Sequence, residues 1–264
     1  MICFEPTGGL CNRLRAISSM IELNNDYNLS SNIIISWKKN KELNCSFYEL
    51  FKPLESIPLK DIKQMDQISH FYQRITSKLY LDDKSVKNLR QGLLLPRNAF
   101  NGIKENDKVY IATGHQFYTK LNFGIYKPLD SVLDKVNKIY NFSNGKIIGV
   151  HIRRSDNINA IQTSSSQGFI KQMKNEIDNN PNVKFFLSTD SLDEEKLLCK
   201  EFEGRVITQG KKVLNRNSSE GIICALIDLL CLSKTDKIIG SYYSSFSEVA
   251  AQWGQIPISI VKNN

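Results

Sequence analysis

Apolar residues along this chain fall into two alternating rhythms. Short β-branched runs read as buried strands, and stretches with apolar residues three or four apart read as helices. Residues 2–5 (ICFE) predict a first strand, 6–9 (PTGG) a turn, and 12–23 a helix with Leu14, Ile17, Ile21 and Leu23 roughly on one side. NIIISW at 32–37 predicts a second strand, and 43–105, with Pro53, Pro58 and Pro96 and no clean period, predicts helices and loops. KVYIA at 108–112 reads as a strand and 129–139 as a helix. From about residue 145 the rhythm becomes regular. Strands at 146–152, 183–187, 205–208, 237–240 and 257–261 alternate with helices at 169–177, 193–199, 220–233 and 245–253. Strands that alternate with helices predict an α/β protein with parallel sheets. The expected division is a looser N-terminal, acceptor-side half over 1–125 and a Rossmann-like half over 126–264, with the linker near 122–129.

Composition narrows the picture. The chain has 264 residues, 41% of them apolar and 23% charged, which excludes wholesale disorder and fibrous repeats. Lys and Arg number 35 against 27 Asp and Glu, a net charge of +8 that favours anionic partners. The positive charge is scattered. Its densest pieces, Trp37-Lys38-Lys39-Asn40-Lys41 and Gln209-Gly210-Lys211-Lys212, form no long basic stripe, so no nucleic-acid partner is expected. No C-x-x-C pair occurs among the six cysteines and only three histidines are present, so no metal site is expected. The absence of a signal-peptide pattern and of a long apolar run predicts a cytoplasmic protein with no transmembrane segment.

Four stretches carry chemistry. Gly8-Gly9-Leu10-Cys11-Asn12-Arg13 follows a strand and opens a helix, where bare backbone and unpaired N–H groups suit an anion. It lacks the third glycine of a dinucleotide fingerprint and the Gly-Lys-Ser/Thr of a P-loop. His151-Ile152-Arg153-Arg154-Ser155-Asp156 ends a strand, where open α/β sheets bind ligands. Alternation puts His151 and Arg153 on one face and Arg154 on the other. An arginine fork suits a diphosphate, and Asp156 is a candidate to pin an arginine. Ser244-Ser245-Phe246-Ser247 opens a late helix and forms a second anion cradle. Ser188-Thr189-Asp190 ends another strand, with Asp190 either capping the next helix or meeting a base or sugar. Asp228, alone in the apolar stretch 222–232, needs a partner: Arg153, Arg216 or a ligand amide.

The order of these pieces resembles the fucosyltransferase superfamily that joins α1,6-, α1,2- and protein O-fucosyltransferases. Gly8 to Arg13 is similar to the N-terminal glycine-asparagine motif of that superfamily, and His151 to Asp156 to its H-x-R-R-x-D motif. Asp228 to Ser233 with Asp236 and Ser244 to Ser247 is similar to its C-terminal block, and Ser188-Thr189-Asp190 to its strand end between them. The resemblance implies a GT-B fold, two Rossmann-like domains facing across a cleft. It implies an inverting, metal-independent transfer from a GDP-sugar, typically GDP-fucose, to a glycan, glycolipid or protein hydroxyl, with no cofactor beyond that donor.

Carried over, Arg153, His151 and Asn12 are the catalytic set. Arg153 neutralises the departing diphosphate, His151 contacts the nucleotide sugar or phosphate, and Asn12 reaches the phosphates or donor sugar. Gly8, Gly9, Arg13, Arg154, Asp156, Asp190, Asp228, Ser244, Ser245 and Phe246 bind the donor, with Asp228 accepting from guanine. The core α1,6 enzymes carry a glutamate about ten residues after the motif histidine. Here that position is Ile161, and 157–175 holds no carboxylate. The base is therefore open among Glu5, Asp156, Glu248 and none at all. Two other readings stay open: a different nucleotide-deoxyhexose such as a rhamnose donor, and a catalytically inactive nucleotide-sugar or glycan-binding module.

Overall fold

A computed structural model of the chain describes residues 1–55, 57–62, 67–140, 145–155 and 158–263. Two parallel five-stranded sheets with flanking helices make up the expected α/β fold. The described residues divide into two compact units, Met1–Leu129 with Asn215–Ile222, and Asp130–Leu214 with Ile223–Asn264.

The first unit holds β1 (Ile2–Pro6), β2 (Ile33–Lys38), β3 (Leu59–Ile62), β4 (Leu79–Leu81) and β5 (Val109–Thr113), in the order β3-β2-β1-β5-β4. Chain order runs outward from β1 through β2 to β3, then resumes on the far edge, so the strand order reverses between β1 and β5. Helix α1 (Leu10–Tyr27) starts two residues before the expected position and ends four later. Gly9 is its N-cap. Asn28, at φ 50°, ends it in the left-handed conformation, which asparagine tolerates, and its N–H donates to Asn24 O at 2.7 Å. Two helices, α2 (Gln67–Thr76) and α3 (Asp83–Leu89), flank β4.

Strands β3 and β4 lie in the region expected to hold only helices and loops. They are edge strands of four and three residues. Leu59 is the buried residue of β3 and Leu81 that of β4, too little to register as a period of two.

The second unit begins with α4 (Asp130–Tyr140). It contains β6 (Ile147–Ile152), α5 (Ile158–Thr163), α6 (Ser166–Asn179), β7 (Lys184–Thr189), α7 (Leu192–Glu201), β8 (Val206–Ile207) and β9 (Lys237–Ser241). Then follow α9 (Ser245–Gly254) and β10 (Ile258–Val261), while α8 (Ser219–Ser233) has its first turn in the first unit. The sheet order is β10-β9-β6-β7-β8, with a reversal between β6 and β9.

Every residue of β6 is buried, as expected of a central parallel strand covered on both faces. Ile148, Val150 and Ile152 pack with Phe169, Met173 and Leu198, each such side chain contributing about 1.5–3 kcal/mol. The alternate residue His151 meets α9 instead. No helix among the described residues is long and apolar enough to cross a membrane.

Candidate functional site

In an open parallel sheet, strand carboxyl ends leave a crevice where the strand order reverses. Both glycine- and arginine-bearing motifs sit at such ends. In the first unit, the turn after β1 is shaped by Gly8, at φ +78°, where a Cβ would lie 2.8 Å from Asn12 Nδ2. Glycine is thus required twice, for the backbone conformation and for room beside Asn12. Asn12 is partly exposed in the first turn of α1, and Gly9 supplies no side-chain cap.

Arg13 faces the other way and is fully buried. Its Nε donates to Gly8 O at 2.7 Å, Nη1 to Lys38 O and Nη2 to Asn40 Oδ1 at 3.0 Å, and its guanidinium lies 5.0 Å from the Trp37 ring centroid. Burial pulls the Arg13 guanidinium down to about 10, against an upward pull from Glu42 and Glu5, so it stays charged at neutral pH. Arg13 therefore holds the glycine turn against the end of β2; its guanidinium is spent on protein acceptors.

In the second unit, the motif divides by face as alternation requires. His151 is buried, with Nδ1 2.7 Å from Ser247 Oγ and its ring stacked on Phe246 at 4.8 Å. Gly240 makes this possible, since a Cβ there would meet Ser247 Cβ at 2.7 Å. The backbone N–H of Arg153 donates to Ser241 Oγ at 3.0 Å, fixing where β6 ends, and its side chain is partly exposed. Arg154 turns to the opposite side. Its Nε pairs with Glu194 at 3.2 Å, Nη1 donates to Ser164 O at 2.9 Å, and its guanidinium lies over Phe169. It is an internal strut rather than a group presented at the strand end.

Asp190 accepts from the Arg154 N–H at 2.7 Å and from Ser155 Oγ at 2.6 Å. Burial alone would raise its carboxyl; the hydrogen bonds from Ser155 and the Arg154 N–H, with His151 nearby, hold it below the ordinary range. Asp190 thus pins the loop after β6. The cap of α7 is Ser191, which accepts from the Glu194 N–H at 3.3 Å. Asp156 lies outside the described residues.

Asp228 is buried and finds partners the sequence did not suggest. Gln209 Nε2 donates to Oδ1 at 2.9 Å, Ser188 Oγ to Oδ2 at 2.9 Å, and Lys212 Nζ lies 3.4 Å from Oδ2. Burial raises the Asp228 carboxyl, and Lys212, Ser188 and Gln209 pull it back. Lys212 itself bridges to Glu195 at 3.1 Å with its side chain 2% exposed. The end of the basic run at 209–212 is therefore an internal counter-ion. The same holds for Lys38 in the other basic run, which pairs with buried Glu5.

Helix α9 opens at the end of β9, beside Arg153. Ser244 is its N-cap and is 1% exposed, yet its hydroxyl finds no partner among the described residues. Ser245 and Phe246 follow, both partly exposed. Among the other base candidates, Glu5 accepts from Tyr110 Oη and pairs with Lys38, while Glu248 is exposed in the first turn of α9. No group of three or more His, Cys, Asp or Glu among the described residues is placed to hold a metal.

The likeness to solved structures extends over the whole chain. The NodZ α-1,6-fucosyltransferase soaked with GDP-fucose superposes with a TM-score of 0.66 at 18% identity, over 96% of this chain and 92% of that one. The chain has the same fold as that structure. FUT1 of Arabidopsis thaliana in complex with GDP gives a TM-score of 0.63 at 15% identity, over 98% of this chain and 69% of that one. POFUT1 in complex with GDP gives 0.55 at 11% identity, over 98% and 97%. No family model and no curated protein matches the sequence.

Proposed function

We propose that this chain is an inverting, metal-independent glycosyltransferase that moves fucose from GDP-fucose to a hydroxyl of a glycan or protein. The observation that carries the reading is the end of β9. A ten-residue helix begins there on a buried serine hydroxyl with no partner among the described residues, next to the strand end that carries Arg153. Helix N-termini hold phosphates through unpaired N–H groups and the positive end of the helix dipole.

Cleaving the glycosyl–phosphate bond builds positive charge on the sugar and negative charge on the GDP. In this reading Arg153, Ser244, Ser245 and the α9 N–H groups hold that negative charge without a divalent ion, each such donor being worth about a hundredfold in rate. His151 and Phe246 form the apolar wall of the pocket, and Asp228 accepts from guanine at the base end. In the first unit, the Gly8 turn places Asn12 just beyond the carboxyl end of β1. Arg13, Arg154 and Asp190 keep these groups in position. All six cysteines are free, the state that a reducing compartment maintains, which supports a cytoplasmic enzyme.

The test is calorimetric titration in EDTA with GDP, GDP-fucose, UDP and dTDP. The reading expects GDP and GDP-fucose alone to bind. Binding of UDP or dTDP instead would overturn the donor, and a strict need for added divalent ion would overturn the metal-independent mechanism.

A further inference from the structure

Three non-glycine residues among the described ones have a positive φ: Asn28, Tyr243 and Gln255. Asn28 and Gln255 are the C-caps of α1 and α9, where the left-handed conformation is customary. Tyr243 is different. At φ 54° it lies between β9 and α9, directly before the N-cap Ser244. A Cβ makes this conformation costly, and a bulky residue held in it marks a position with a task. Tyr243 is also 70% exposed, whereas Ser244 beside it is 1% exposed and its hydroxyl has no partner among the described residues. An open aromatic side chain thus adjoins a buried, unsatisfied hydroxyl at a helix start.

The neighbour of Tyr243 fixes which side of the sheet it occupies. The Tyr242 N–H donates to Ser164 Oγ at 2.8 Å, and Ser164 Oγ donates to the carbonyl of Val261, the last residue of β10, at 2.6 Å. Lys262 follows β10 and holds its Nζ 5.5 Å from the Tyr242 ring centroid, and the Tyr243 ring lies 5.9 Å from that of Tyr242. The tyrosine pair is therefore on the β10 side of the α9 cradle. Asp228 is on the opposite side, bonded to Ser188 of β7 and to Gln209 after β8. The strands run in the order β10-β9-β6-β7-β8. A base at Asp228 and a diphosphate at Arg153 and Ser244 leave the sugar on the β10 side, where the tyrosines are. All of these residues belong to the second unit.

We propose that Tyr243 is a donor-binding residue whose ring packs against the sugar of the nucleotide sugar. This rests on the donor reading above and names the group that meets its sugar end. A 6-deoxyhexose presents ring C–H groups and a methyl group, whose slight positive charge suits the electron-rich face of an aromatic ring. The contact needs the ring and not the phenolic oxygen. The left-handed backbone is tolerated because it places the ring there.

The experiment is calorimetry in EDTA with GDP and with GDP-fucose, together with thermal melting, on wild type, Tyr243→Gly, Tyr243→Asn and Tyr243→Phe. Tyr243→Gly should bind GDP within twofold of wild type and GDP-fucose about tenfold more weakly. It should melt no lower than wild type, because glycine adopts the left-handed backbone without strain. Tyr243→Asn, which also tolerates that backbone, carries the same expectation should Tyr243→Gly fold poorly. Tyr243→Phe, which restores the ring, should recover the affinity for GDP-fucose. GDP-fucose binding within twofold of wild type in Tyr243→Gly or Tyr243→Asn overturns the proposal and leaves the donor reading standing. An equal loss for GDP and GDP-fucose overturns it too, since the ring would then serve the nucleotide. Melting far below wild type in both variants assigns the ring to packing and likewise overturns it. Wild type that binds neither molecule overturns the donor reading, and this proposal with it.

Discussion

His151 Nδ1 and Ser247 Oγ stand 2.7 Å apart, joining the end of β6 to the first turn of α9. The histidine is therefore locked by the same helix whose first residues form the proposed phosphate cradle, and its ring is clamped by Phe246. Removing the hydroxyl takes a hydrogen-bond partner from a buried ring, at a cost of about 1–3 kcal/mol. Ser247→Ala should lower the thermal midpoint and reduce turnover of GDP-fucose by about tenfold. Unchanged melting would show that Ser247 does not hold the ring.

Two neighbouring arginines should separate cleanly. Arg153→Ala is expected to fold normally and lose transfer by about a hundredfold or more. Arg154→Ala should instead unfold easily, because it strands the buried Glu194 carboxylate at about 3–5 kcal/mol. Thermal melts and GDP-fucose turnover on both variants decide it; equal effects on stability would contradict the division by face.

Lys212→Met should destabilise the protein in a pH-dependent way. The folded-state Asp228 carboxyl is already raised by burial, and Lys212 is the largest influence pulling it back. Without Lys212 it rises further, so the folded state holds the proton over a wider range than the unfolded chain. The penalty is therefore absent below the unfolded value of about 3.9, grows as pH rises through the folded value, and is full at neutral pH. Urea midpoints for variant and wild type should differ strongly at pH 7 and converge near pH 3.5. Adding Asp228→Asn should recover most of the loss at pH 7.

Gly8→Ala meets two obstacles at once, a left-handed φ and a contact of 2.8 Å with Asn12 Nδ2. The backbone alone costs about 1–2 kcal/mol. Because Asn12 must move, the variant should lose more turnover than stability. A variant with wild-type turnover would remove Asn12 from the site.

The parallel α/β plan and the strand-end motifs were legible because central strands such as β6 are apolar throughout and glycine turns are conspicuous. Edge strands β3 and β4 were not, since three or four half-exposed residues carry no rhythm. The structural roles of the two basic runs were hidden for a related reason. A local charge count cannot show that Lys38 will lie beside Glu5 and Lys212 beside Asp228, pairings set by strand order and by a loop packing on a helix. Arg13 likewise looks like a ligand group in the motif, and only its enclosure by the Lys38 carbonyl, Asn40 and Trp37 shows that it is a brace. Of the partners expected for Asp228, which were Arg153, Arg216 or a ligand amide, the two arginines gave way to Gln209, Ser188 and Lys212 because the loop that follows β8 packs on α8.

The first unit is not made from one continuous stretch of chain. Residues Asn215–Ile222 belong to it, with Asn217 O accepting from Asn44 Nδ2 at 2.8 Å and Ser219 Oγ donating to Asn44 O at 3.3 Å. During synthesis the ribosome delivers β6, β7 and β8 before this last piece arrives. The N-terminal half must therefore wait, incompletely closed, until most of its neighbour has emerged, and the two halves are obliged to mature together rather than in turn.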